Sequence, residues 1–144
     1  MKLSTKGRYG VKAMVDLAIN NESREPISIK SIAERQNISE YYLEQLFGSL
    51  RKAGLIKSIR GAAGGYVLNK PPQDITVHHI MEVLEGPVEI SNCLVDDCCD
   101  NIEGCPTRLL WKKLKESIEE VTSSITLQDM VDDYNSMNTV KIEI

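Results

Sequence analysis

Four cysteines fall within thirteen residues, as Cys93, Cys98, Cys99 and Cys105 in a Cys-x4-Cys-Cys-x5-Cys pattern. Thiolates are soft ligands, so such a group can hold iron-sulfur or zinc, or can act as a redox switch. In a reducing compartment clustered cysteines point to that chemistry more than to a disulfide framework. An iron-sulfur cluster with two irons needs four terminal ligands, and an irregular loop can bend to present them from one side. Residues 88–105 have no clear hydrophobic period, which predicts such a loop. Pro106 suits the first position of a helix and places Cys105 at its N-cap, where N-H groups and the helix dipole favour a thiolate. A zinc centre and a thiol switch through Cys98 or Cys99 remain alternatives, as do four ordinary loop cysteines. His78 and His79 are read as helix-surface residues rather than ligands.

The elements that position this loop follow from period and punctuation. Val11, Met14, Val15, Ala18 and Ile19 recur at helical spacing and Asn20-Asn21 closes the run. Ser28 caps a short second helix carrying Ile29, Ile32 and Ala33, and Asn37 marks its turn. Ser39 caps a third, with Leu43, Leu46, Phe47 and Leu50 as its apolar stripe and Gly54 just past its end. Leu55 to Arg60 alternates and is rich in branched residues, Gly61-Ala62-Ala63-Gly64-Gly65 makes a turn, and Tyr66-Val67-Leu68 returns, which predicts a β-hairpin. Thr76 caps a fourth helix with Ile80, Met81, Val83 and Leu84, stopped at Gly86-Pro87.

After the cysteines, Leu110, Leu114, Ile118, Val121 and Ile125 form a stripe beside Trp111, with Lys112, Lys113, Glu116, Glu119 and Glu120 on the other faces. This long amphipathic helix is expected to pair with its own copy. A short helical segment from Thr126-Leu127 to about Tyr134 follows, and the last ten residues are expected to be weakly ordered. The fold class is therefore mainly α with a small β-hairpin: a winged helix-turn-helix plus a long dimerisation helix. Its expected divisions are residues 1–86 for DNA binding, 87–106 for the cysteine loop, 107–135 for the dimerisation and short C-terminal helices, and 136–144 as a tail.

Charge supports this division. The 144-residue chain has a net charge of -4, but residues 1–70 hold 12 Lys/Arg against 6 Asp/Glu, whereas residues 91–144 hold 5 against 11. The basic half could face phosphate. No stretch of about 18 apolar residues occurs and Met1-Lys2-Leu3-Ser4-Thr5 leads into no apolar h-region, so a cytoplasmic protein without a membrane partner is expected. Catalysis finds no support: there is no phosphate loop, no Ser/His/Asp arrangement, and the two histidines are adjacent.

Lys6-Gly7-Arg8-Tyr9, Tyr42-Leu43-Glu44-Gln45-Leu46, Leu50-Arg51-Lys52-Ala53-Gly54-Leu55 and Arg60-Gly61-x-x-Gly64-Gly65-Tyr66 occur in one order. Together, over roughly residues 1–134, they resemble the bacterial winged-helix family of the iron-sulfur cluster regulator IscR and the cysteine metabolism repressor CymR. The iron-sulfur branch carries three cysteines after the wing and the other branch does not. Cys93, Cys99 and Cys105 reproduce its six-residue steps and Trp111 its following position, so the resemblance implies a [2Fe-2S] cluster in a homodimer on double-stranded operator DNA. One departure stands out: the branch's best-known cluster takes a histidine three residues after the third cysteine, and here that residue is Arg108, which cannot ligate iron. Cys98, Asp100 and Glu103 are candidates for the fourth ligand.

For DNA, Arg60 stands at the edge of a turn in which Gly64 permits close approach to a sugar-phosphate backbone, and the resemblance implies that Arg60 enters a minor groove. Tyr41, Glu44 and Gln45 lie opposite or beside the apolar stripe of the third helix. Glu can accept from cytosine and Gln can pair with adenine, and in the iron-sulfur branch the matching glutamate helps set the operator class. Lys2, Ser4, Lys6 and Arg8 would reach phosphates. The alternative within the family is a cysteine-metabolism repressor that works through a cysteine-biosynthetic enzyme as partner, or through a thiol switch, without a cluster; Glu85-Gly86-Pro87 resembles that branch as well.

Overall fold

Three serines and a threonine start the helices of the N-terminal half. The computed structural model describes residues 3–94 and 103–143. Ser4 caps α1 (Thr5–Asn20), Ser28 caps α2 (Ile29–Gln36), Ser39 caps α3 (Glu40–Lys52) and Thr76 caps α4 (Val77–Glu85), each side-chain oxygen accepting an N-H of the first turn. The stops are equally local. Asn37 ends α2 in the left-handed region at φ 53°, and Gly54 follows α3 at φ 82°, where a Cβ would be strained.

The hairpin pairs β1 (Ile56–Ile59) with β2 (Gly65–Leu68) in antiparallel register, Ile56 opposite Leu68 and Ile59 opposite Gly65. Its base is wider than the alternation predicts. Ile27 adds a bridge to Tyr66, its N-H donating to Tyr66 O at 2.9 Å and its carbonyl accepting from Tyr66 N at 2.8 Å. A Cβ on Gly65 would stand 2.4 Å from Ile27 O, so only glycine allows this approach.

The core gathers the predicted stripes. Met14, Leu17, Ile32, Leu43, Phe47, Leu50, Ile56, Ile75 and Ile80 are fully buried, each contributing about 1.5–3 kcal/mol on the usual scale for an apolar side chain. Val11, Val15 and Ile19 pack against this cluster while partly exposed. Phe47 meets Tyr66 edge-on at 5.1 Å, which fixes α3 against the hairpin.

Two features differ from the expectation for the C-terminal half. The last helix, α6 (Leu127–Glu143), does not end near Tyr134: the chain from Asn135 to Glu143 contains neither Pro nor Gly, so nothing in it terminates a helix already nucleated. Its start is also part of the core. Leu127 and Val131 are buried among the α1 residues, while Leu127 N-H donates to Ile75 O and Val77 N-H to Ile125 O, both at 2.9 Å.

Between them α5 (Pro106–Ser124) lies against α4. None of its residues is fully buried. Trp111, Leu114, Ile118 and Ile125 are half-buried, and Leu109, Leu110 and Val121 are exposed.

Candidate functional site

On α3 the residues between the apolar positions form one exposed face. Tyr41 is 73% exposed, and Glu44 and Gln45 stand beside it at helical spacing. The start of α1 is fixed next to this face through Tyr9, whose ring meets Tyr42 edge-on at 6.1 Å. Arg8 lies over the Tyr9 ring at 5.8 Å, a cation-π contact that holds its stem while the charge stays in water. Ser4 and Lys6 are exposed in the same turns, and Lys2 lies outside the described residues. The hairpin tip carries Arg60, exposed, with Gly64 N-H donating to Gly61 O at 3.0 Å to close the turn. The helix-turn-helix itself is braced by a group that periodicity does not reveal. Asp16 on α1 is 3% exposed, and its carboxylate accepts from Arg35 Nε at 3.0 Å and Nη2 at 2.7 Å, and from Gln36 Nε2 at 2.7 Å. The carboxylate holds the Arg35 guanidinium above its already high ordinary value, against partial burial.

The loop cysteines are described at its two ends. Cys93 sits in a 3-10 turn (Asn92–Leu94), with Ser91 Oγ 3.2 Å from its sulfur. Cys105 is the N-cap of α5 and Pro106 the first helical residue, the arrangement the sequence predicts. Its thiol is held below the usual cysteine range, chiefly by the Thr107 hydroxyl at 3.0 Å, then by the Arg108 backbone N-H. Arg108, half-buried, directs Nε to Cys93 O at 3.5 Å and so reaches from α5 to the other end of the loop. Two free, half-buried thiols are a donor set suited to iron-sulfur or zinc. Among the described residues no three His, Cys, Asp or Glu side chains converge; Cys98, Cys99 and Asp100 lie outside the described residues, and Glu103 is exposed.

The family model Rrf2, described as an iron-dependent transcriptional regulator, matches residues 3–133. The chain belongs to the Rrf2 family. It is a transcriptional regulator, not an enzyme, in a family whose winged helix-turn-helix reads DNA. Among Rrf2 relatives, the regulator CymR of Bacillus subtilis is 48% identical over 90% of this chain and 89% of its own. IscR of Pectobacterium atrosepticum is 38% identical over 96% of this chain and 84% of its own. The solved structure of T. potens IscR superposes with a TM-score of 0.77 at 51% identity, covering 93% of this chain and 88% of that one. That of CymR, the global cysteine regulator of B. subtilis, gives 0.76 at 46%, covering 92% and 97%. Both branches expected from the motifs are therefore close to this Rrf2 chain. Among the described residues no helix is long and apolar enough to cross a membrane.

Three contributions in this Rrf2 chain escape the sequence reading. Asp16 has a weak signal, a carboxylate inside an apolar helical run. His79 is a cap: its Nδ1 accepts the Thr76 N-H at 3.4 Å while Thr76 Oγ1 accepts the His79 N-H at 3.1 Å. Glu85 accepts the Gly7 N-H at 3.1 Å, and the signal for it is the pair Gly7 and Gly10 within one helix, where glycine costs about 1 kcal/mol each relative to alanine.

Proposed function

We propose that the chain acts as a homodimer on double-stranded operator DNA and reports iron-sulfur or redox status through a [2Fe-2S] cluster held by Cys93, Cys99 and Cys105, with a fourth ligand from the same loop. The observation that carries this reading is the six-residue spacing of the three cysteines, with the first and third presented as free thiols at either end of one loop. When bound, such a cluster supplies a redox centre and a crosslink between thiols far apart in the loop. Cys105 suits ligation because Thr107 and the start of α5 favour its thiolate. Arg108 brackets the loop from the α5 side. Dimerisation is supported by the exposed Leu109, Leu110 and Val121 on a helix whose other side already lies against α4, since operators with two half-sites match a two-fold dimer.

On DNA, α3 would enter the major groove, with Glu44 accepting from a cytosine amino group and Gln45 pairing with adenine. Ser4, Lys6 and Arg8 would position the protein on phosphates, and Arg60 would probe the minor groove beside the Gly64 turn. Visible absorption and iron content of protein purified without oxygen test the cluster, alongside a variant with Cys93, Cys99 and Cys105 changed to Ala. A red-brown sample with about two irons per chain, lost in the variant, is the expected result.

A second reading is favoured by the 48% identity to CymR and by Arg108 at the position of the expected histidine: a cysteine-metabolism repressor acting through a cysteine-biosynthetic enzyme or a thiol switch. Colourless, metal-free protein would select it. Stoichiometric zinc would make the loop a structural site.

A further inference from the structure

The first turn of α1 contains no acidic residue of its own, although the N-H groups there attract negative charge. Glu85, the last residue of α4, supplies an acceptor for one of them. The Gly7 N-H donates to Glu85 Oε1 at 3.1 Å and only distantly, at 3.4 Å, to the cap Ser4. Two glycines make room for this seat: a Cβ on Gly7 would stand 2.6 Å from Glu85 Oε1, and one on Gly10 2.0 Å from Leu84 Cδ1. A cleft of about 540 Å³ beside this contact is lined by Leu3, Ser4 and Lys6 of the same turn and by Glu85, Pro87 and Ile118. Directly after Glu85 the chain turns at Gly86, φ 83°, into the segment that leads to Cys93.

We infer that Glu85 is a positioning residue for DNA binding: by accepting the Gly7 N-H it sets the first turn of α1, and with it the orientation of Ser4, Lys6 and Arg8 toward phosphate. The inference rests on the reading of those three residues as phosphate contacts. It assigns the hydrogen bond, not the negative charge, as the working element. A carboxylate beside a phosphate-binding turn would by charge alone weaken DNA binding, so the two contributions have opposite signs and can be separated.

The test uses the full chain, Glu85→Ala and Glu85→Gln, with a fluorescent duplex carrying a site selected by the wild-type protein from random-sequence DNA, over a range of salt concentrations. Glu85→Ala is expected to lose about five- to tenfold in affinity, with a salt slope reduced by about 0.9 for each protomer on the duplex, the value for one phosphate contact. Glu85→Gln keeps the acceptor and is expected to stay within about twofold of wild type with the slope unchanged. Thermal melts of all three separate this from a general loss of structure: a lower midpoint with an unchanged salt slope would overturn the inference, and so would a tighter-binding Glu85→Ala. Lys6→Ala and Arg8→Ala serve as controls. If neither changes affinity or slope, the phosphate reading fails; if they do and Glu85→Ala does not, the positioning role alone fails.

Discussion

Removing either member of the Asp16–Arg35 pair should destabilise the protein unequally, and in an order that burial decides. Asp16 is 3% exposed, whereas the Arg35 side chain is 41% exposed. In Asp16→Ala the stranded guanidinium turns to water and recovers most of what it loses, because its bonds are screened on a 41% exposed side chain, so the loss, with the Gln36 amide left unpaired, is about 2 kcal/mol. In Arg35→Ala the buried carboxylate keeps only Gln36 and Asn20 as neutral donors, at 2.7 and 3.3 Å. Breaking a buried pair from that side costs about 3–5 kcal/mol, and the water admitted into the space the guanidinium vacates places this case near the lower end, about 3 kcal/mol. The double variant should cost less than the sum of the two by about 1–2 kcal/mol, since each single change leaves a partner behind. Urea unfolding followed by circular dichroism gives all four values, at one protomer concentration because dimerisation would shift the midpoint. Asp16→Ala costing more than Arg35→Ala, or strictly additive losses, would refute the account of Asp16 as a buried charge held by an accessible partner.

Phe47→Ala should cost about 3–5 kcal/mol by the same assay, because the ring is fully buried and joins α3 to the wing through Tyr66; a loss under about 1 kcal/mol would mean the wing does not depend on it. Gly10→Ala and Gly48→Ala should act in opposite directions. The first places a Cβ 2.0 Å from Leu84 Cδ1 and should lose about 1 kcal/mol net, while the second meets nothing within 4 Å and should gain about 0.5–1 kcal/mol of helix propensity. Equal signs in the two melts would show that propensity, not the α1–α4 approach, governs both. In metal-free, reduced protein the lowered Cys105 pKa means that its thiolate forms at lower pH than that of an ordinary thiol. Alkylation of Cys105 by iodoacetamide, followed by peptide mapping, should therefore rise earlier along the pH axis, and Thr107→Val should move the rise upward; an unmoved profile would remove the hydroxyl as its cause.

What is legible in the sequence is what the chain encodes locally. Ser28, Ser39 and Thr76 announce helices because their oxygens serve N-H groups three residues on, and Asn37 and Gly54 announce ends because their backbones tolerate left-handed geometry. The hidden features join residues distant in sequence. Asp16 finds Arg35 only once α1 and α2 cross, Ile27 reaches Tyr66 only once the hairpin has formed, and Glu85 reaches Gly7 across 78 positions. The length of α6 is obscured for a different reason: the last ten residues are expected to be weakly ordered, but a helix anchored by Leu127 in the core continues until something stops it. Within the candidate site, the places of Tyr41, Glu44 and Gln45 follow from the apolar stripe they interrupt, whereas the brace of Arg108 on Cys93 O does not, because it needs both ends of the loop in position.

Global similarity does not choose between the two branches of the family, since CymR and IscR structures superpose with TM-scores of 0.76 and 0.77. The choice rests on a few side chains. A helix-turn-helix of the same fold serves either regulator, and in this chain Phe47 and Leu50 pack within the core rather than against the cysteine loop. Arg108 is the residue on which the branches' chemistry meets. It cannot be a ligand, so a four-coordinate cluster must draw its last donor from elsewhere, yet its backbone N-H and its fixed positive charge both favour the thiolate of Cys105. Such a charge favours thiolates whether they meet metal or oxidant. The surroundings of Cys105 thus support thiolate chemistry in general, and it is the cysteine spacing that argues for iron in particular.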